Sequence, residues 1–124
     1  MLAPGIEKPN TLLVFYRVSC PTCKLTLPYV HRVQMPVLGI SQDDSESTEK
    51  FRQQFEVKID SVLDLESEGY PASSQFGVHH VPTMFVLDEN GKIAERIEGF
   101  DKDALERLGA SFDESELVPE FRPG

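Results

Sequence analysis

The sequence has no tryptophan, only two cysteines and three histidines, and its 12 lysines and arginines are outnumbered by 21 aspartates and glutamates. The resulting formal charge of -9 argues against nucleic acid or an anionic membrane surface as a partner, because both would repel the chain. No apolar run reaches the roughly 20 residues that a transmembrane helix requires. The basic region and apolar stretch of a secretory leader are missing from Met1-Leu2-Ala3-Pro4-Gly5. As it stands the sequence reads as cytoplasmic; if it has been trimmed, a periplasmic or other extracytoplasmic location fits equally. Repeats and low-complexity blocks are lacking too, so residues 1–124 are expected to form one domain, and a monomer is expected. With 40% hydrophobic residues, that domain can bury a real core.

Both cysteines fall in Cys20-Pro21-Thr22-Cys23, directly after the apolar, strand-like run Leu12 to Tyr16. So short a loop would make a poor structural staple, because closing it removes little unfolded-state entropy. The pair is therefore catalytic or metal-binding. A two-residue gap at a helix start puts both thiols on one turn, close enough to close into a disulfide. If the helix begins at Pro21, where a missing N–H costs nothing, Cys20 sits at the cap with unpaired N–H groups aimed at its sulfur. In C-x-x-C motifs such placement lowers a thiol pKa from about 8.5 into a range of roughly 3.5 to 7.5. Lys24 could add positive charge, although a solvated lysine contributes little. Cys23, backed by Leu25 and Leu27, is expected to be more buried. The roles that follow are Cys20 as nucleophile and Cys23 as the thiol that resolves the mixed disulfide.

Along the chain, apolar elements alternate. Thr11 to Tyr16 reads as a buried strand, with Phe15 and Tyr16 in core or rim, and a helix is expected from Pro21 to about Arg32, kinked at Pro28. Met35 to Ile40 reads as a strand. An acidic connection, Gln42 to Glu46, leads to a helix near Thr48 to Phe55. Val62 to Leu65 is a weaker strand, and Ala72 to Phe76 a helical turn ended by Gly77. Val81 to Leu87 and Lys92 to Ile97 form two strands around an Asn90-Gly91 hairpin turn, with Met84 in the core. A last helix starts at Asp101 and carries Ala104, Leu105 and Leu108 inward. The core is thus expected over about residues 11–109, and residues 110–124 form a tail with scattered apolar positions.

This order, with Cys-x-x-Cys opening the first helix, Pro28 eight residues after Cys20, and Val81-Pro82-Thr83 before the hairpin, resembles the thioredoxin superfamily. The stretch from Gln42 to Ile97, including Asp43-Asp44, Phe76-Gly77-Val78 and Val81-Pro82-Thr83-Met84-Phe85-Val86-Leu87-Asp88-Glu89-Asn90-Gly91-Lys92-Ile93, is similar to the TlpA-like branch of bacterial thiol-disulfide oxidoreductases. The resemblance implies an α/β thioredoxin fold, a three-layer α/β/α sandwich around a central mixed sheet. It implies reversible exchange with protein thiols and disulfides, an electron donor or acceptor the sequence does not name, and no cofactor beyond the redox-active Cys20–Cys23 pair. It also implies a cis peptide at Pro82, with Val81 and Pro82 presenting main chain to an extended substrate.

Departures from that pattern bear on chemistry. Thioredoxins usually place a tryptophan before the first cysteine and a buried acid six residues before it, where this chain has Ser19 and Val14. Unless Glu95 or another acid reaches Cys23, its proton has no evident acceptor. Pro21-Thr22 differs from the thioredoxin pair and resembles those of less reducing relatives, which leaves the redox direction open. The family's extra N-terminal hairpin has no counterpart in the residues preceding the first core strand. His80, two residues before Pro82, could stabilise the Cys20 thiolate or move a proton, and Arg17 could screen it or select acidic partners; each could also be simply solvated. Two other classes stay open. Cys20 and Cys23 with one or two of His31, His79 and His80 could hold zinc or copper, although the leading reading carries no metal. A thiol peroxidase of the peroxiredoxin type would want threonine three residues before its reactive cysteine, where Arg17 stands.

Overall fold

The computed structural model describes residues 6–124, so residues 1–5, on which the leader reading rested, lie outside the described residues. β1 (Leu12–Tyr16) is apolar and buried at every position, so it has to be covered on both faces. β2 (Val37–Ser41) and β3 (Asp60–Leu63) extend the sheet in parallel on one side of β1. The hairpin of β4 (Thr83–Leu87) and β5 (Ile93–Glu98) extends it antiparallel on the other, which gives the order β3-β2-β1-β4-β5.

Side-chain alternation along β1 divides the core in two. Leu12, Val14 and Tyr16 pack with Cys23 of α1 (Pro21–Thr26), Phe51 of α2 (Ser45–Gln54) and Leu105 of α4 (Lys102–Arg107). Leu13 and Phe15 pack with Ala72 and Phe76 of α3 (Pro71–Phe76) on the opposite face. Helices on both faces of a mixed sheet make the three-layer α/β/α sandwich of the thioredoxin fold. Burying each large β1 side chain contributes about 1.5–3 kcal/mol, which anchors the strand that delivers the cysteine loop. No helix among the described residues is long and apolar enough to cross a membrane.

Several boundaries depart from the sequence reading for local reasons. The first helix is broken rather than kinked: α1 stops at Thr26, and a short 3-10 turn spans Val30–Arg32. Pro28 offers no N–H to the Lys24 carbonyl and its ring crowds that turn. β2 starts at Val37, after Pro36, whose carbonyl accepts from the Leu12 N–H at 2.8 Å. α2 begins three residues earlier than expected because Asp44 caps it, its Oδ1 accepting from the Ser47 N–H at 2.8 Å. β3 lies two residues earlier than expected, at Asp60–Leu63. The hairpin turn is not a two-residue Asn-Gly turn. Only Gly91 takes a positive φ, and Asp88 Oδ1 accepts from both the Asn90 and the Lys92 N–H. That is the three-residue loop with a left-handed glycine, accompanied by a register shift at Val86/Leu87.

Residues 110–124 pack on the domain. Ala110 is buried, Phe112 and Val118 lie against the first core cluster, and Arg32 makes a two-pronged ion pair with Glu116 at 2.6 and 2.7 Å. β7 (Phe121–Arg122) then pairs antiparallel with β6 (Phe100–Asp101).

Candidate active site

Cys20 follows the loop that leaves β1 and is the N-cap of α1, with Pro21 at the first helical position. Its φ of -83° and ψ of 119° are extended, so the chain turns into the helix at the sulfur. Sγ accepts from the Cys23 N–H at 3.2 Å. The loop before it is held from two directions. Cys20 N–H donates to the Arg17 carbonyl at 3.2 Å, and Val18 N–H donates to Asp43 Oδ2 at 2.8 Å. Across the site the Val81–Pro82 peptide is cis, and the Val81 carbonyl lies 3.4 Å from Cys20 Sγ.

The two thiols are free and electrostatically unlike. The Cys20 pKa is lowered to about 6, first by the hydrogen bond from the Cys23 thiol, against the cost of burial, and then by the Cys23 and Thr22 N–H groups and the Arg122 charge. The contact to the Val81 carbonyl belongs to the protonated thiol and is given up on ionisation. Burial pushes the Cys23 thiol far up, and its bond to the Cys20 sulfur pushes the same way. The pair therefore loses its first proton from Cys20. Cys23 is wholly buried, whereas Cys20 is half-buried at the rim.

Other residues singled out in the sequence scatter. Lys24 is exposed; the cation that lowers the Cys20 pKa is Arg122, from a stretch that carried no functional expectation. Arg17 turns toward Gln42, donating from Nε and Nη2 to Oε1 at 3.1 and 2.8 Å, and lies over the Tyr70 ring. It lowers the Cys23 pKa rather than ranking among the leading influences on Cys20. His80 is exposed and does not figure among those influences either; with His79, Val81, Arg17, Gln42 and Tyr70 it lines a cavity of about 250 Å³. His31 sits among Phe55, Lys58 and Glu116, apart from the cysteines. Among the described residues no group of three or more His, Cys, Asp or Glu is placed to hold a metal ion. Glu95 is engaged by Arg107 at 2.9 Å, and none of the strongest influences on Cys23 is a carboxylate.

One long-range contact of the motif, made by Thr22, and one position, Asp64, were missed. Thr22 is 4% exposed, and its hydroxyl donates to the Pro123 carbonyl at 2.8 Å, a contact about a hundred residues away in sequence with no local signal. Asp64, 1% exposed, accepts from the Ala72 and Ser73 N–H groups and from the Ser73 hydroxyl, taking the place of a local cap on α3. Pro71 at the first position of α3, preceded by a tyrosine unable to cap, was the available clue.

The profile of the AhpC/TSA family matches residues 5–96. The chain belongs to the AhpC/TSA family. Among curated proteins, this AhpC/TSA member is 24% identical over 102 residues to "Thiol-disulfide oxidoreductase ResA" of Bacillus cereus, covering 76% of this chain and 57% of that protein. It is 26% identical over 107 residues to the protein of the same name from Geobacillus kaustophilus, covering 79% of this chain and 60% of that one. The chain thus spans less than two thirds of the length of these relatives. Solved structures share the fold. StoA of Bacillus subtilis superposes with a TM-score of 0.65 at 23% identity, over 85% of this chain and 84% of that one. A thiol-disulfide isomerase from Corynebacterium glutamicum gives 0.67 at 18% identity, over 90% and 89%.

Proposed function

We propose that this chain exchanges dithiol for disulfide with protein substrates through Cys20 and Cys23. The observation that carries the reading is the opposition between the two thiols: Cys20 at the rim with its pKa lowered to about 6, and Cys23 beneath it, buried and held protonated. In the reducing direction the Cys20 thiolate attacks one sulfur of a substrate disulfide, forming a mixed disulfide and expelling the other sulfur as thiolate. Cys23 then gives up its proton and attacks the Cys20 sulfur. The Cys20–Cys23 disulfide forms, the second substrate sulfur leaves, and the substrate has gained two electrons. No group beyond the two cysteines is needed to carry them, and an external thiol or disulfide couple resets the pair. Val81 and the cis Pro82 present main chain beside Cys20, a surface suited to an extended substrate segment of variable sequence. The curated relatives, named thiol-disulfide oxidoreductases, support the same reading.

A thiol peroxidase is less well supported, because Arg17 stands three residues before Cys20 and points to Gln42. The direct test replaces Cys20 with serine and measures reduction of a peptide disulfide and consumption of hydrogen peroxide. The expected result is loss of disulfide exchange, with a parent peroxide rate no better than that of a free thiol. Intact exchange in the Cys20→Ser chain would overturn the proposal.

A further inference from the structure

We propose that the groove between Thr22, Val81-Pro82 and Gly99 is a main-chain docking groove, and that residues 120–124 occupy it as a displaceable internal ligand that a substrate must exchange with to reach Cys20. The inference rests on the redox reading above.

The groove is already filled, and backbone fills it. The Thr22 hydroxyl donates to the Pro123 carbonyl at 2.8 Å, and the contact leaves Thr22, inside the cysteine motif, 4% exposed. Gly124 lies so close to the Val81 carbonyl that a side chain at 124 would collide with it. Gly99, bonded through its N–H to the Pro82 carbonyl at 2.8 Å, has the Arg122 carbonyl where a Cβ would stand. One strip of chain therefore touches the motif, the cis-proline loop and the glycine beyond β5. Those are the surfaces that an extended substrate would need in order to place a disulfide at Cys20.

What holds the strip is slight. The ladder between β6 and β7 is two residues long, Lys102 N–H donates to the Glu120 carbonyl at 3.0 Å, and the Lys102–Glu120 ion pair spans 3.7 Å at an exposed position. All side chains from Pro119 to Gly124 are exposed, so leaving the groove uncovers little apolar surface on the strip itself. Segments with few buried contacts open at low free energy. Thr22 gains a role from this geometry: its hydroxyl is a donor to a carbonyl of whichever chain lies in the groove.

The experiment compares the full chain with one lacking residues 120–124. Both are assayed at pH 9, where Cys20 is ionised with or without Arg122, against a peptide carrying one disulfide and against a small aromatic disulfide. If the strip fills the groove in about 90% of molecules, deletion should raise the second-order rate constant for the peptide about tenfold. The small reagent, needing no groove, should change far less. Glu120→Lys, at an exposed position, should act in the same direction and more weakly. A synthetic peptide of residues 119–124, added to the shortened chain, should shift the amide resonances of Thr22, Val81 and Gly99 and slow peptide reduction competitively. Equal peptide rates in the two chains, or no amide shifts with added peptide, would overturn the proposal. Exchange absent from both chains while the amide shifts remain would overturn the redox reading instead, and the competition with it.

Discussion

Replacing Cys23 with alanine removes the thiol hydrogen that the Cys20 sulfur accepts, the largest influence holding the Cys20 pKa near 6 instead of 9.0. In the parent, thiolate at pH 7 should be about 90-fold more abundant than in an unperturbed thiol, while its intrinsic nucleophilicity falls about 16- to 30-fold over three pKa units. The net gain in alkylation rate at pH 7 is therefore only about three- to sixfold. A hydrogen bond to a charged group is worth about 1.5–3 kcal/mol, or one to two pKa units, and half-burial of Cys20 favours the lower end. Cys23→Ala should thus move the midpoint from about 6 to about 7. Cys23→Ser, which keeps a donor, should move it less. The assay is iodoacetamide alkylation from pH 4 to 10, with single modification confirmed by intact mass. The rate should rise with pH through the midpoint and level off above it, because the thiolate is the reactive form. A parent midpoint near 8.5 to 9, or an unchanged midpoint in Cys23→Ala, would refute the reasoning.

Other expectations follow from the same geometry. Cys23 is buried with its pKa raised and no carboxylate among its leading influences, so resolution of a mixed disulfide on Cys20 should accelerate with pH by about tenfold per unit from pH 7 to 9. Stopped-flow release of the second substrate thiol would measure it, and a plateau below pH 8 would contradict it. Asp64→Ala strands two buried N–H groups and the Ser73 hydroxyl, and should lower unfolding free energy by about 2–4 kcal/mol in urea titrations. A loss below 1 kcal/mol would show that α3 is capped some other way. His80→Ala should leave the Cys20 alkylation midpoint unchanged, since the imidazole is exposed and the groups acting on the sulfur lie elsewhere. A midpoint shift of half a unit or more would restore a role for His80.

The parts of the site legible in the sequence are those whose cause is local. Cys20 caps α1 because Pro21 can start a helix and cannot continue a strand ladder, and four consecutive letters carry that information. The two-face burial of β1 is likewise written in five adjacent apolar residues. Long-range partners were not legible. The cation helping Cys20 is Arg122, brought in by pairing of β7 with β6, whereas sequence proximity suggested Lys24. Arg17 stands three residues from Cys20 yet spends its guanidinium on Gln42 across the β1–β2 edge. The first helix was misread because apolar spacing continued through Pro28, and periodicity registers side chains but not the missing N–H that ended α1. Asp44 was read only as part of an acidic connection and of the family resemblance, and Asp64 was passed over; one caps α2, and the other is buried beneath α3.

The central claim is that Cys20 and Cys23 form one two-electron redox couple. Equilibrating the protein against graded thiol–disulfide buffers, trapping free thiols and counting them by intact mass tests it most directly. The account expects both thiols to disappear together in a single transition, with a potential between about -270 and -120 mV that also settles whether the chain is built to reduce or to oxidise. Independent titration of the two thiols, or no internal disulfide at any buffer poise, would contradict it.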